Sequence, residues 1–280
     1  MCLPKRWCPT IPKPRVLVRT GAAALILAAT GAAAPGFCAP LIAHHAVYKL
    51  TLDTSKEEGV LAATGTMTYD VLDACTAWTT SQHLVINVTN KDGQDVKMVS
   101  DYATLESKDG THLDFHTREL TDQSVTQQLD GTADLDRSGG KGHADFTSPQ
   151  KSSVLLPLGT LLPMAHTAAI IDAASAGKKF LSVPLFDGTG SDGAEDTFVT
   201  IENWRKPAEQ KWPTLSALPF GRVHIAFFDR TNASETPTYE VSMLYWANGV
   251  ADAMVMNFGD FSMDGTLDQF EARAAAKCAG

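Results

Sequence analysis

The chain has 280 residues, 23 Lys plus Arg against 32 Asp plus Glu, a formal charge of −9 and 44% apolar residues. So acidic a chain has no basic stripe for a phosphate backbone, which excludes nucleic acid as a partner. Beyond the first forty residues no run approaches the roughly 20 apolar residues of a membrane span.

The first element reads as an export signal. Lys5, Arg6, Lys13, Arg15 and Arg19 form a basic start without an acid, and Gly21 to Ala34 is an apolar run too short and alanine-rich to span a bilayer comfortably. Residues 1–38 are therefore expected to be a cleaved secretory signal, with the cut between Gly36 and Ala39. An uncleaved anchor would leave the same body tethered to the membrane's outer face. Lipidation of Cys38 is disfavoured by the bulky Phe37 before it. Losing the five basic residues leaves 18 Lys plus Arg against 32 acids, a balance of −14. No proline-rich or serine-rich linker divides the remaining roughly 240 residues, so 39–280 are expected to form one exported domain.

The body then reads as strands. Val47 to Leu52, Thr64 to Val71, Thr79 to Val88 and Val96 to Leu105 mix β-branched and aromatic residues with partial two-residue alternation, as do Gly221 to Arg230, Pro237 to Trp246 and Ala251 to Phe258. Asp92-Gly93, Asp109-Gly110, Asp130-Gly131, Asn248-Gly249 and Asp264-Gly265 are expected at tight turns. More than ten short-connected strands would make a mainly β fold: a large antiparallel coiled sheet, a sandwich or a barrel. Two helices are expected. Pro163 to Ala176 has proline at its start and Gly177 as its cap, and Thr266 to Lys277 has Thr266 and Gln269 at capping-box spacing.

Five cysteines are present, and Cys2, Cys8 and Cys38 lie in or beside the export segment. The body keeps Cys75 and Cys278. In an oxidising compartment an even, sparse pair reads as one disulfide fastening the chain's end to an early strand.

The body as a whole resembles the EipB-like cell-envelope integrity proteins of alphaproteobacteria. The likeness runs through Ala43-His44-His45-Ala46-Val47-Tyr48, Gly65-Thr66-Met67-Thr68-Tyr69 and Cys75. It continues through Leu162-Pro163-Met164-Ala165-His166 and Leu185-Phe186-Asp187-Gly188 to Tyr245, Asn248-Gly249-Val250, Phe258-Gly259-Asp260-Phe261 and Cys278. Leu162, Met164 and Asn257-Phe258 depart from the family's usual residues. The resemblance implies a periplasmic, spirally wound antiparallel sheet with a helix beside it and a Cys75–Cys278 bond. It implies a role in envelope integrity without a known reaction.

Candidate chemistry is sparse. His112, Asp114 and His116 would share one strand face and present imidazole and carboxylate to a metal, but a polar solvent face is the stronger reading because no fourth ligand is indicated. His44 and His45 would point to opposite faces. Asp187 to Gly193 collects calcium-type oxygen ligands, yet it fails the EF-hand pattern and reads as a hairpin connection. Ser175 and Lys178 have Ser-x-x-Lys spacing at the wrong end of a helix.

His166, in the first turn of the central helix, is a candidate binding residue, with hydrogen-bonded packing as its simpler role. Trp204 and Trp212 are candidates too, because Trp204 to Pro219 reads as a surface loop with exposed tryptophans able to meet a partner or close over a cleft. The expected function is non-catalytic support of the envelope, through binding a protein partner, a lipid or a lipoprotein segment, by a monomer without a cofactor or metal. The alternative is a periplasmic hydrolase of an envelope component with no recognised motif.

Overall fold

The computed structural model describes residues 41–278 except 57–58, 206–207 and 232–235, so the export segment expected at 1–38 lies outside the described residues. The first half of the chain forms β1 (His44–Leu52), β2 (Val60–Asp73), β3 (Ala77–Asn90), β4 (Asp95–Ser107), β5 (His112–Thr121), β6 (Ser124–Leu135), β7 (Gly142–Ser148) and β8 (Ser152–Leu156). Helix α1 (Pro163–Ser175) follows, then β9 (Phe180–Leu185), β10 (Glu195–Arg205), the one-turn helix α2 (Pro213–Ser216), β11 (Phe220–Phe228), β12 (Tyr239–Trp246), β13 (Ala251–Asn257) and β14 (Ser262–Ala272).

All these strands belong to one antiparallel sheet. Its order is β8-β7-β6-β5-β4-β3-β2-β1-β14-β13-β12-β11-β10-β9. The chain meanders outward from β1 to β8, crosses through α1 to the opposite edge, and meanders back from β9 until β14 pairs with the free side of β1. Because no strand pairing joins β8 to β9, the sheet curls without closing. Local alternation makes each strand amphipathic. In β1 the side chains of His44, Ala46, Tyr48 and Leu50 are buried while those of His45, Val47, Lys49 and Thr51 are not.

The inward residues form two cores. The larger gathers Tyr48, Leu50, Met67, Ile86, Val223, Trp246 and Met263 with Ile170 and Ile171 of α1. Burying a side chain such as Ile170 or Ile171 contributes about 1.5–3 kcal/mol, which ties α1 to the sheet despite its short length. The smaller core lies under β5 to β8, where Phe115 meets Phe146 and Phe186 edge-on at 5.4 Å each.

Several expectations change. Thr266 to Lys277 is not a helix: residues 262–272 form β14, paired with β1 from His44↔Ala272 to Leu52↔Met263, and the chain then runs irregularly to Cys278. The alternation that buries Met263, Gly265 and Leu267 outweighs the capping-box spacing, because β1 has a whole side of backbone groups to satisfy. Asp130-Gly131 and Asp264-Gly265 lie within β6 and β14, not at turns. At Gly131 a Cβ would stand 2.3 Å from the Asp145 carbonyl oxygen and 2.7 Å from Phe115 Cζ, so this glycine serves close approach. Asp92-Gly93, Asp109-Gly110 and Asn248-Gly249 do turn, with glycine φ of 84°, 67° and 87°.

Nor is Trp204 to Pro219 simply an exposed loop. Trp204 falls within β10 and Trp212 starts α2, and both are half-buried against the larger core. Trp212 meets Phe270 edge-on at 5.9 Å, with Lys211 Nζ 4.6 Å from its ring centre. Its indole Nε1 is buried without a hydrogen-bond partner among the described residues.

Candidate functional site

Helix α1 lies across the inner face and touches opposite arms of the sheet. Thr80 of β3 donates to Met164 Sδ at 3.7 Å, and Tyr245 of β12 donates to Thr167 Oγ1 at 3.2 Å. Between these contacts is a cavity of about 160 Å³. Tyr48, Met67 and Tyr69 come to it from β1 and β2, Met164 from α1, and Met243 and Met254 from β12 and β13. Leu41, Asn248 and Gly249 also line it, held together where the Ile42 N–H donates to the Asn248 carbonyl at 3.2 Å.

The lining carries no Lys, Arg, Asp or Glu. Its polar groups are mostly engaged. The Tyr48 hydroxyl donates to the Ala251 carbonyl at 2.9 Å, and burial pushes the Tyr48, Tyr69 and Tyr245 phenols above their ordinary range. His44 Nδ1 is 2.9 Å from the Ile42 carbonyl, which only accepts, so Nδ1 carries the proton and Nε2 is left as the ring's acceptor. Burial lowers the His44 pKa and keeps the ring neutral. Flexible thioethers and phenols make an adaptable apolar wall.

The entrance to α1 depends on Glu106 of β4. Leu162 at the N-cap makes no side-chain cap and the first turn has no acid. Glu106 instead accepts from the Met164 and Ala165 N–H groups at 2.6 and 2.9 Å. Burial pushes its carboxyl up to about 7, while those two donors pull it back. Glu106 did not stand out in the sequence, nor did the convergence of Met67, Met164, Met243 and Met254 on one cavity. The available signal was parity: Glu106 falls on the inward-facing set of β4 with Thr104, which makes a buried carboxylate in need of donors.

Among the sequence candidates, His166 is buried with its Nε2 3.0 Å from Thr197 Oγ1. Thr197 donates onward to the Val183 carbonyl at 2.8 Å, so His166 Nε2–H is the donor and the ring is neutral. Burial lowers its pKa to about 4. His166 does not line the cavity, although Met164 and Thr167 beside it do; nor do Trp204 and Trp212. His112 and His116 bind carboxylates across β5 and β6, Asp134 at 2.7 Å and Asp130 at 2.5 Å. The Asp187 carboxylate is taken up by the Thr189 N–H at 2.9 Å and hydroxyl at 2.7 Å, and Gly188 packs beneath them on Phe115.

Cys75 sits in the β2–β3 turn with φ of 65°, its N–H donating to Asp73 at 2.9 Å. It is joined to Cys278 by a disulfide with Cα atoms 5.7 Å apart. The bond closes a separation of 203 residues.

An open, curled antiparallel sheet with a helix over an uncharged inner cavity and a disulfide near its terminus defines a barrel-like β protein. The chain belongs to the EipB-like family, whose model matches residues 36–274. It is 29% identical over 245 residues to the cell envelope integrity protein EipB of Brucella abortus (strain 2308), covering 85% of this chain and 86% of that protein. Its fold is similar to the crystal structure of a beta-barrel-like protein of domain of unknown function DUF1849 from Brucella abortus. That likeness has a TM-score of 0.76 at 27% identity, over 84% of this chain and 99% of the other. These relatives support a role in cell-envelope integrity. Among the described residues no helix is long and apolar enough to cross a membrane.

Proposed function

We propose that the protein is a non-catalytic periplasmic factor that supports the cell envelope by holding an apolar envelope component in the cavity under α1. It is exported by a cleaved signal over 1–38, and 39–280 act as a single domain. The ligand is a lipid or the apolar segment of an envelope protein, and binding needs no cofactor and no second copy of the chain. The carrying observation is the uncharged, thioether-rich and phenol-rich lining of a preformed cavity.

A hydrolase gains little support from the His166–Thr197 pair. Both residues are buried, and the threonine hydroxyl donates away from the imidazole to Val183, leaving no base to take its proton.

Native mass spectrometry of protein released from its own periplasm tests the reading. A stoichiometric lipid or peptide adduct is expected, and a cavity-filling Met243→Phe variant should lose it. A bare polypeptide mass for both would redirect the function toward a partner bound elsewhere on the surface.

A further inference from the structure

We infer that the cavity under α1 is one half of a longer channel that holds a single acyl chain ending in an uncharged carbonyl, with Met67 as the movable partition. This rests on the reading of that cavity as a binding site. A second cavity of about 290 Å³ lies along the same inner face, lined by Leu84 and Ile86 of β3, Met98 and Ser100 of β4, and Phe258. The cross-strand register places the two side by side. Tyr69↔Gln82 lines the first cavity. In the next inward pair, Met67↔Leu84, Met67 lines the first and Leu84 the second. Ile86 follows in the second, paired across to Met98.

Size and chemistry favour one linear ligand. About 160 Å³ resembles a cavity that accepts a single benzene ring, too little for a long chain. From Gln82 to Ile86 the inner face advances about 14 Å, which suits an extended chain. The boundary residue Met67 is unbranched with three rotatable bonds, so a rotamer change moves its thioether aside without moving backbone.

The polar end of the ligand follows from charge. The first lining offers no cation to pair with a carboxylate or phosphate, and the second contains the Glu119 carboxyl, which repels an anion. Gln82 and the side-chain nitrogen of Asn248 line the first cavity without a hydrogen-bond partner among the described residues. They suit an ester or amide carbonyl, not a free fatty-acid anion.

Isothermal titration calorimetry of the mature chain with octanoyl, decanoyl and dodecanoyl monoglycerides, each below its micelle concentration, tests the inference. Burial contributes about fourfold per methylene, so affinity is expected to rise at least tenfold with each two-carbon step. Dodecanoate is expected to bind at least tenfold more weakly than dodecanoyl monoglyceride. Ser100→Phe, which fills the second cavity, should flatten the dependence of affinity on chain length. Thr126→Phe at the exposed rim is the second filling variant should Ser100→Phe fail to fold. Equal affinity for all three lengths, or an unchanged length dependence in the filled variants, overturns the joined channel and leaves the first cavity as a short site. Failure of every probe to bind overturns the acyl channel, whereas the reading of the first cavity as a binding site falls only if native mass spectrometry also finds no lipid or peptide adduct.

Discussion

Glu106 accepts the Met164 N–H at 2.6 Å, so a strand side chain caps a helix 58 residues further along the chain. The same carboxylate takes the Ala165 N–H. Glu106→Ala leaves two buried donors unpaired and is expected to cost about 2–4 kcal/mol, from the loss of a cap and of satisfied polar groups. Glu106→Gln keeps one acceptor and should cost roughly half as much. Urea denaturation measures both, and an alanine variant as stable as wild type would remove Glu106 from this role. Met164 lines the cavity, so the alanine variant is also expected to bind the ligand less tightly.

Stability against pH separates two buried groups. His166 has its pKa lowered to about 4, so below the unfolded value of 6.5 the unfolded chain binds the extra proton. Its contribution is lost as pH falls from about 6.5 towards 4. Glu106 has its pKa raised to about 7 from 4.5, so the folded chain holds the extra proton between those values. Its contribution is lost as pH rises from about 4.5 through 7. The slopes oppose each other. In His166→Asn, stability is expected to fall as pH rises from 5 to 7; in Glu106→Gln it is expected to rise over that interval. Urea midpoints measured at pH 5, 6 and 7 decide, and parallel profiles for the two variants would refute the assignment.

Cys278→Ser removes a clasp that spans 203 residues. Loop-closure entropy sets an upper bound of roughly 5 kcal/mol on its contribution. The variant is expected to be exported normally, to melt below oxidised wild type, and to support the envelope less well, most visibly under stress. Equal melting of the two would show that the bond adds nothing to the fold.

Glycine at 131 is expected to be irreplaceable. Gly131→Ala places a methyl 2.3 Å from a backbone oxygen and 2.7 Å from Phe115, so β6 and β7 must part. A loss of about 2–3 kcal/mol or more follows from overpacking. Gly190→Ala, with nothing within 4 Å, should stay within about 0.5 kcal/mol of wild type. Similar melting temperatures for both variants would contradict the close-approach explanation.

Where local chemistry and tertiary demand agree, the sequence is readable. Pro163 and Gly177 bound α1 as expected because proline suits the first turn and the glycine takes φ of 73° at the end. Strands β1 to β4 and β11 to β13 follow their alternation to within a few residues. Thr266 to Lys277 misleads because its helical signals are local. Its fate is decided by β1, whose backbone needs a partner along nine positions from His44 to Leu52. Gly131 and Gly265 mislead in the same way, since an Asp-Gly pair marks a turn locally and a close approach only in the folded sheet.

By itself, then, the sequence determined an acidic body of antiparallel strands around one central helix, together with the two cysteines available for a bond. Those properties reside in composition, in period-two alternation and in residues such as proline and glycine that act on their own backbone. Only the tertiary structure decided that β14 closes on β1, that Glu106 caps α1, and that methionines from α1, β2, β12 and β13 face a common cavity. The physical reason is sequence separation: each arrangement requires groups far apart in the chain to satisfy one another, and the curl of the sheet sets which of them meet.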